Sequence, residues 1–182
     1  MAFDYNVEMI IMLCSSTENG RQKCSEYWAE NNQKISFKIK VNEEKSINKY
    51  LKTRNISVTD KNGKNKIITQ LHFIGWPDHG VPNVNDVYET FISMIKTVNA
   101  NFNAPIITHC SAGVGRTGTF ISCFSLYNEI MEQIEKKKTS IEINIFNLVR
   151  KLKEMRLFLV ESPLQYCFVY GFVSLLIHFN FK

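Results

Sequence analysis

The sequence lacks several features that would place it in a familiar class. Its five cysteines (Cys14, Cys24, Cys110, Cys123, Cys167) form no Cys-x-x-Cys pair, and their odd number and wide scatter fit neither a disulfide framework nor a zinc cluster. That usage points to a reducing, cytoplasmic setting. No Gly-Lys-Ser/Thr closes a Walker A loop. Prolines are scarce, four in 182 residues, and no internal repeat or low-complexity linker divides the chain. The C-terminal apolar stretch, 166 to 181, falls just short of the ~18–20 residues that span a bilayer and is interrupted by Gly171, Ser174, His178 and Asn180. It reads as a buried terminal helix, with no membrane partner expected. Asp4 and Glu8 stand where a secretory signal carries basic residues, so no export signal is expected either.

What is present is a composition 45% hydrophobic and 12% aromatic, enough for one substantial core and a single domain over residues 1–182. The net charge of +5 is spread among interleaved acids, so nucleic acid is not an expected partner; the run Lys136-Lys137-Lys138 reads as a solvated loop. A mildly basic surface suits acidic, phosphorylated ligands, whose local concentration it raises.

Ile35, Phe37, Ile39 and Val41 alternate with polar residues at the period of a half-buried strand, and Ile56 and Val58 begin another. Asn62-Gly63 predicts a type I′ hairpin turn, with Lys66 to Phe73 pairing back antiparallel. After Pro82 the period changes. Val87, Phe91, Met94 and Val98 form a helical stripe behind candidate N-caps Asn83 and Asn85; Phe120, Phe124, Tyr127, Met131 and Ile134 form a second, and Ile145, Val149, Leu152 and Met155 a third. Between the first two, Pro105 to Thr108 reads as a short strand. Strands first, helices later and a strand–loop–helix in the middle predict an α/β (α+β) domain on one twisted sheet.

The loop in that middle is His109-Cys110-Ser111-Ala112-Gly113-Val114-Gly115-Arg116-Thr117-Gly118. A helix N-terminus offers backbone N–H groups with no intrahelical partner and a partial positive charge, a cradle for an anion. The glycines let the backbone approach the bound group, and the fork of Arg116 matches two phosphate oxygens. In such a cradle a thiol is held as thiolate, and Cys110 can attack phosphorus to form a phosphocysteine. Thr117 is placed to donate a hydrogen bond that helps the sulfur leave. Gly113 to Gly118 also fits the dinucleotide fingerprint Gly-x-Gly-x-x-Gly, but the acid that fingerprint needs some 20 residues on is missing, the chain there being helical and then lysine-rich.

This segment resembles the H-C-x-x-G-x-G-R-[ST]-G signature of the cysteine-dependent protein tyrosine phosphatases. Gly75-Trp76-Pro77-Asp78-His79-Gly80-Val81-Pro82 is similar to that family's mobile loop, and Glu18-Asn19-Gly20, Lys23-Cys24 and Tyr27-Trp28 resemble a stretch of its N-terminal half. The resemblance runs from about residue 7 to 175. It implies a highly twisted mixed β-sheet flanked by helices, hydrolysis of phosphotyrosine on proteins, and neither metal nor organic cofactor. It implies Cys110, Arg116 and Asp78 as catalytic residues, Asp78 as the general acid. Ser111, Ala112, Gly113, Val114, Gly115, Thr117 and Gln165 are implied to bind substrate. His72, His79 and His178 show no ligand spacing and read as structural or exposed.

Two departures stand out. The family's domain carries a longer N-terminal portion, with a Lys-Asn-Arg-Tyr loop that sets pocket depth and is absent from this sequence, so the expectation is an N-terminally shortened domain. The family's Gln-Thr-x-x-Gln loop reads Glu161-Ser162-Pro163-Leu164-Gln165, the first glutamine being replaced. The Asn-, Lys- and Ile-rich character and Phe3 to Asn6 resemble the viral phosphatases carried by polydnaviruses of parasitoid wasps, which implies action in the cytoplasm of a host cell. The competing readings are a pseudophosphatase that holds phosphotyrosine with little turnover, and a dual-specificity, lipid or RNA phosphatase using the same loop.

Overall fold

The computed structural model describes residues 1–29, 37–77, 80–100 and 104–181. Its strands are β1 (Met9–Met12), β2 (Thr17–Glu18), β3 (Arg21–Gln22), β4 (Lys38–Asn48), β5 (Leu51–Thr59), β6 (Asn65–Phe73) and β7 (Ile106–His109). Its helices are α1 (Val84–Ala100), α2 (Gly115–Glu135), α3 (Ile145–Met155) and α4 (Pro163–Asn180). The chain divides into two compact units, Met1–Asp78 with Lys96–Ser111, and His79–Ile95 with Ala112–Lys182.

The first unit is built on a five-stranded mixed sheet of order β4-β5-β6-β1-β7. β1 runs parallel to both its neighbours, in register Met12↔His72 with β6 and Met12↔His109 with β7. Such a central parallel strand is covered on both faces, and all four of its residues, Met9-Ile10-Ile11-Met12, are buried. β4, β5 and β6 are antiparallel. β4 is an edge strand and is blunted by charge, with Lys38, Lys40, Glu43, Glu44 and Lys45 along it. Asn48 turns the chain from β4 to β5, its Oδ1 accepting from the N–H of Tyr50 at 2.8 Å and of Leu51 at 3.0 Å.

The second unit is helical. Phe91 of α1 lies among Phe120 of α2 and Phe168 and Phe172 of α4, with ring centroids 5.6, 5.4 and 6.2 Å away. These offsets are those that aromatic clusters favour. The C-terminal apolar stretch is α4, which buries Phe168, Val169, Phe172, Val173 and Leu176. Among the described residues no helix is long and apolar enough to cross a membrane.

The expected elements are present, with four corrections. β5 begins at Leu51 rather than near Ile56, because it carries a buried Arg54 in place of the apolar pattern. The turn at Asn62-Gly63 is not type I′. Gly63 N–H donates to the Asp60 carbonyl at 3.1 Å, Gly63 alone there has positive φ (+82°), and the Asp60 carboxylate accepts from the N–H of Asn62 and Lys64 at 2.9 and 2.8 Å. That is a type I turn closed by a left-handed glycine. The paired positive φ of a type I′ turn occurs instead at Asn19 (+48°) and Gly20 (+73°), between β2 and β3. On α2 the buried face is Phe120, Cys123, Leu126, Tyr127, Ile130 and Gln133, with Phe124, Met131 and Ile134 only half-buried; on α3 Met155 is exposed. Ile35 lies outside the described residues.

Candidate active site

β7 delivers the nucleophile candidate. Its parallel pairing with β1 continues past the strand, where Leu13 N–H donates to the His109 carbonyl at 2.9 Å, and the next residue, Cys110, is buried. His109 Nδ1 lies 3.0 Å from the Cys110 carbonyl oxygen and its Nε2 lies 2.8 Å from the Tyr27 hydroxyl. A carbonyl can only accept, so Nδ1 carries the proton that donates to it, and Nε2 is left to face the Tyr27 hydroxyl as an acceptor. Ser111 turns its hydroxyl away to the Lys23 carbonyl at 3.0 Å, and Lys23 N–H in turn donates to the Ser16 carbonyl at 2.8 Å. The Glu18-Asn19-Gly20 hairpin therefore buttresses the loop from within its own unit.

In the second unit the chain continues through Ala112 and Gly113, the latter at φ +71°, a conformation that disfavours a side chain. Arg156, just past α3, donates from Nη2 to the Ala112 carbonyl at 3.3 Å. α2 then starts at Gly115 behind Val114, whose side chain caps nothing. The N-cap residue thus gives the first turn of α2 no side-chain cap, while Arg116 stands in that turn and Thr117 is buried.

Two glycines set how closely the chain approaches that turn. A Cβ on Gly118 would lie 2.4 Å from the Val160 backbone nitrogen. A Cβ on Gly115 would lie 2.7 Å from Gln165 Nε2 and 3.0 Å from Glu161 Oε2. Gln165 is held by the end of α4: its Oε1 accepts from the N–H of Glu161 and Ser162 at 2.8 and 3.2 Å, and its own N–H donates to Ser162 Oγ at 3.2 Å. This capping box fixes the amide oxygen and leaves the amide nitrogen against Gly115. Val160, at φ +56°, is β-branched and in the left-handed region, an outlier beside Gly118.

The residues expected at the site divide between the two units. Cys110 and Ser111 belong to the first, and Ala112, Gly113, Val114, Gly115, Arg116, Thr117 and Gln165 to the second. Asp78 and His79 lie outside the described residues; the adjacent Trp76 is buried, its ring edge-on to Phe73 at 6.4 Å. His72 is structural. Its Nε2 bonds the Cys14 carbonyl at 2.8 Å, and burial lowers its pKa from 6.5 to about 4. His178 is exposed. Sequence reasoning missed Arg156, which nothing but its place after a helix marks, and the polar groups behind His109.

The model of the family described as protein-tyrosine phosphatase matches residues 1–174. The chain is 31% identical over 180 residues to human receptor-type tyrosine-protein phosphatase zeta, covering 93% of this chain and 8% of that protein. It is 32% identical over 178 residues to Drosophila melanogaster tyrosine-protein phosphatase 99A, covering 93% and 13%. Among solved structures it resembles the catalytic domain of human protein tyrosine phosphatase non-receptor type 18, with TM-score 0.81, 27% identity, and coverage of 96% of this chain and 62% of that one. A second structure, of PTPN18 in complex with HER2-pY1196 phospho-peptides, gives TM-score 0.82 at 28% identity, covering 96% and 60%. The chain belongs to the protein-tyrosine phosphatase family, and it spans only part of the relatives it matches.

Proposed function

We propose that this chain hydrolyses phosphotyrosine on proteins through a phosphocysteine. The observation that carries the reading is the Cys110-to-Arg116 loop leading into a helix whose N-cap residue, Val114, makes no side-chain cap. The Cys110 thiolate attacks phosphorus, the P–O bond to the tyrosyl ring breaks, and Asp78 gives the departing oxygen its proton. The amides of Ser111 to Thr117 and the Arg116 guanidinium hold the phosphoryl oxygens, where fixed donors stabilise developing charge. Water, aimed by the Gln165 amide, then attacks phosphorus, its proton passes to Asp78, and the S–P bond breaks to give phosphate and the free thiolate. Phosphotyrosyl substrates are supported by the peptide complexes of the non-receptor type 18 relative. The resemblance to polydnavirus enzymes extends the reading to signalling proteins in a host cell's cytoplasm.

Release of phosphate from a phosphotyrosyl peptide tests the reading. The wild-type chain is expected to turn over, Cys110→Ser to fall to background, and Asp78→Ala to lose about 10²–10⁴ in kcat. Turnover in Cys110→Ser would remove the nucleophile assignment. A second reading, capture of phosphotyrosine with little turnover, is favoured by one feature: the Glu161 carboxylate lies against Gly115, where the family has a neutral amide. Like charge beside a phosphocysteine opposes the second step.

A further inference from the structure

Behind His109 runs a chain of polar side chains, all within the first unit, whose hydrogen-bond directions are fixed from the far end. Arg54 is buried on β5, its guanidinium 4.5 Å from the Trp28 ring centre and its Nε 2.5 Å from Glu44 Oε2. Its Nη1 lies 2.6 Å from Gln70 Oε1 and 3.0 Å from His72 Nδ1. Arginine has donors only, so both of those atoms must accept. The fully buried Gln70 amide therefore presents its oxygen to Arg54 and its nitrogen to the Tyr27 hydroxyl, 2.8 Å away. The Tyr27 oxygen accepts from Gln70; because His109 Nδ1–H donates to the Cys110 carbonyl at 3.0 Å, Tyr27 gives its own hydrogen to His109 Nε2 at 2.8 Å, with Met12 Sδ a weaker acceptor at 3.9 Å.

We propose that Arg54 is a positioning residue for Cys110, acting through Gln70, Tyr27 and His109 by fixing the direction of every hydrogen bond that leads to the Cys110 carbonyl. Successive donors polarise one another, and a carbonyl that accepts such a bond makes its own peptide N–H, here that of Ser111, a stronger donor. Without Arg54 the Gln70 amide keeps only the weak bond from its nitrogen to Met12 Sδ, 3.8 Å away, to hold its oxygen from Tyr27. The amide can flip, the tyrosyl hydrogen then goes to Gln70, and His109 takes its proton on Nε2. That leaves a bare Nδ1 facing the Cys110 carbonyl, two acceptors in contact, so the carbonyl must move.

The same guanidinium sets the opposite tautomer on His72, whose Nδ1 accepts from Arg54 and whose Nε2–H donates to the Cys14 carbonyl. Three titratable neighbours in this unit, His72, Tyr27 and Cys24, are shifted by their surroundings. Burial is the main cause for each: it holds His72 at about 4, pushes the Tyr27 hydroxyl far above its ordinary value and raises the Cys24 thiol. Glu44, paired with Arg54, is held below the usual carboxylate range.

The consequence for catalysis rests on Cys110 being the nucleophile; the tautomer does not. The test is ¹⁵N NMR of the histidine rings in the full chain, together with mass-resolved alkylation of Cys110 by iodoacetamide from pH 5 to 8. The wild type is expected to show His109 as the Nδ1–H tautomer. Arg54→Met should give a mixture of tautomers and alkylate Cys110 about tenfold more slowly at the acid end, the equivalent of one pH unit. Gln70→Met should mix the His109 tautomers while His72, still held by Arg54, keeps Nε2–H. Unchanged His109 signals and alkylation in a cooperatively folded Arg54→Met chain would overturn the proposal. If that variant does not fold, unchanged His109 signals in Gln70→Met would overturn it instead. A shifted tautomer in the variants, with no phosphate released by the wild type, would leave this inference standing and remove the phosphatase reading.

Discussion

Gln165 accepts from the N–H of Ser162 at 3.2 Å while its own N–H donates to the Ser162 hydroxyl at 3.2 Å, so the side chain beside Gly115 is held rigidly by the helix it begins. On the proposed mechanism, stability and the second chemical step are therefore linked in one residue. Gln165→Ala should cost about 1 kcal/mol in urea unfolding and should slow the steady-state rate more than the burst of leaving group. Glu161→Gln should do the reverse, raising the steady state with little change in the burst. Rapid-quench kinetics with no burst in any of the three chains would discard a slow second step.

Gly118 and Gly115 are both crowded, but by different things, which predicts different failures. A methyl on Gly118 meets the backbone of Val160 and Leu159, which cannot yield; Gly118→Ala should cost about 3 kcal/mol. A methyl on Gly115 meets the side-chain ends of Gln165 and Glu161. Gly115→Ala should stay within about 1 kcal/mol of wild type yet lose activity, because the amide is displaced. Equal Tm losses in the two variants would contradict the difference.

His72 gives the fold an acid limb. Its native pKa of about 4 lies below the ordinary 6.5, so between those values the unfolded chain binds a proton that the native chain does not. Stability contributed by the neutral ring is complete above pH 6.5 and is lost as pH falls through about 4. The loss should be about 2 kcal/mol, somewhat less than the full shift because the ring keeps some solvent access. His72→Gln should flatten the urea-midpoint profile across that window; an unchanged slope would show that another group carries it.

Arg156 is exposed, and its hydrogen bond to the Ala112 carbonyl ties the residue after α3 to the loop. Arg156→Ala should lower kcat/KM about tenfold, the equivalent of one charge-assisted hydrogen bond, with Tm shifted by less than about 3 °C. A large Tm loss would reassign it to the fold.

Legibility differed by kind of signal. The α1 stripe and the strand into Cys110 were readable because apolar period and glycine placement are local. The apolar pattern shows only the second half of β5, because Arg54 sits where a core side chain would and a buried polar network leaves no periodic trace. Asn62-Gly63 misled because the Asp60 carboxylate, two residues earlier, chose the turn. The signature residues of the loop were plain in sequence, whereas Arg54, Gln70 and Arg156 act across distances in the chain of 16 residues or more, from Arg54 to Gln70 up to Arg156 to Ala112.

The central claim is that Cys110 takes the phosphoryl group. Acid quench of the chain within its first turnovers on a phosphotyrosyl peptide, followed by mass analysis of the Cys110 peptide, measures it directly. A phosphate adduct on Cys110, longer-lived in Gln165→Ala and shorter-lived in Glu161→Gln, is the predicted result. Phosphate release by the wild type with no adduct on Cys110 in any chain, even in Gln165→Ala, would contradict it.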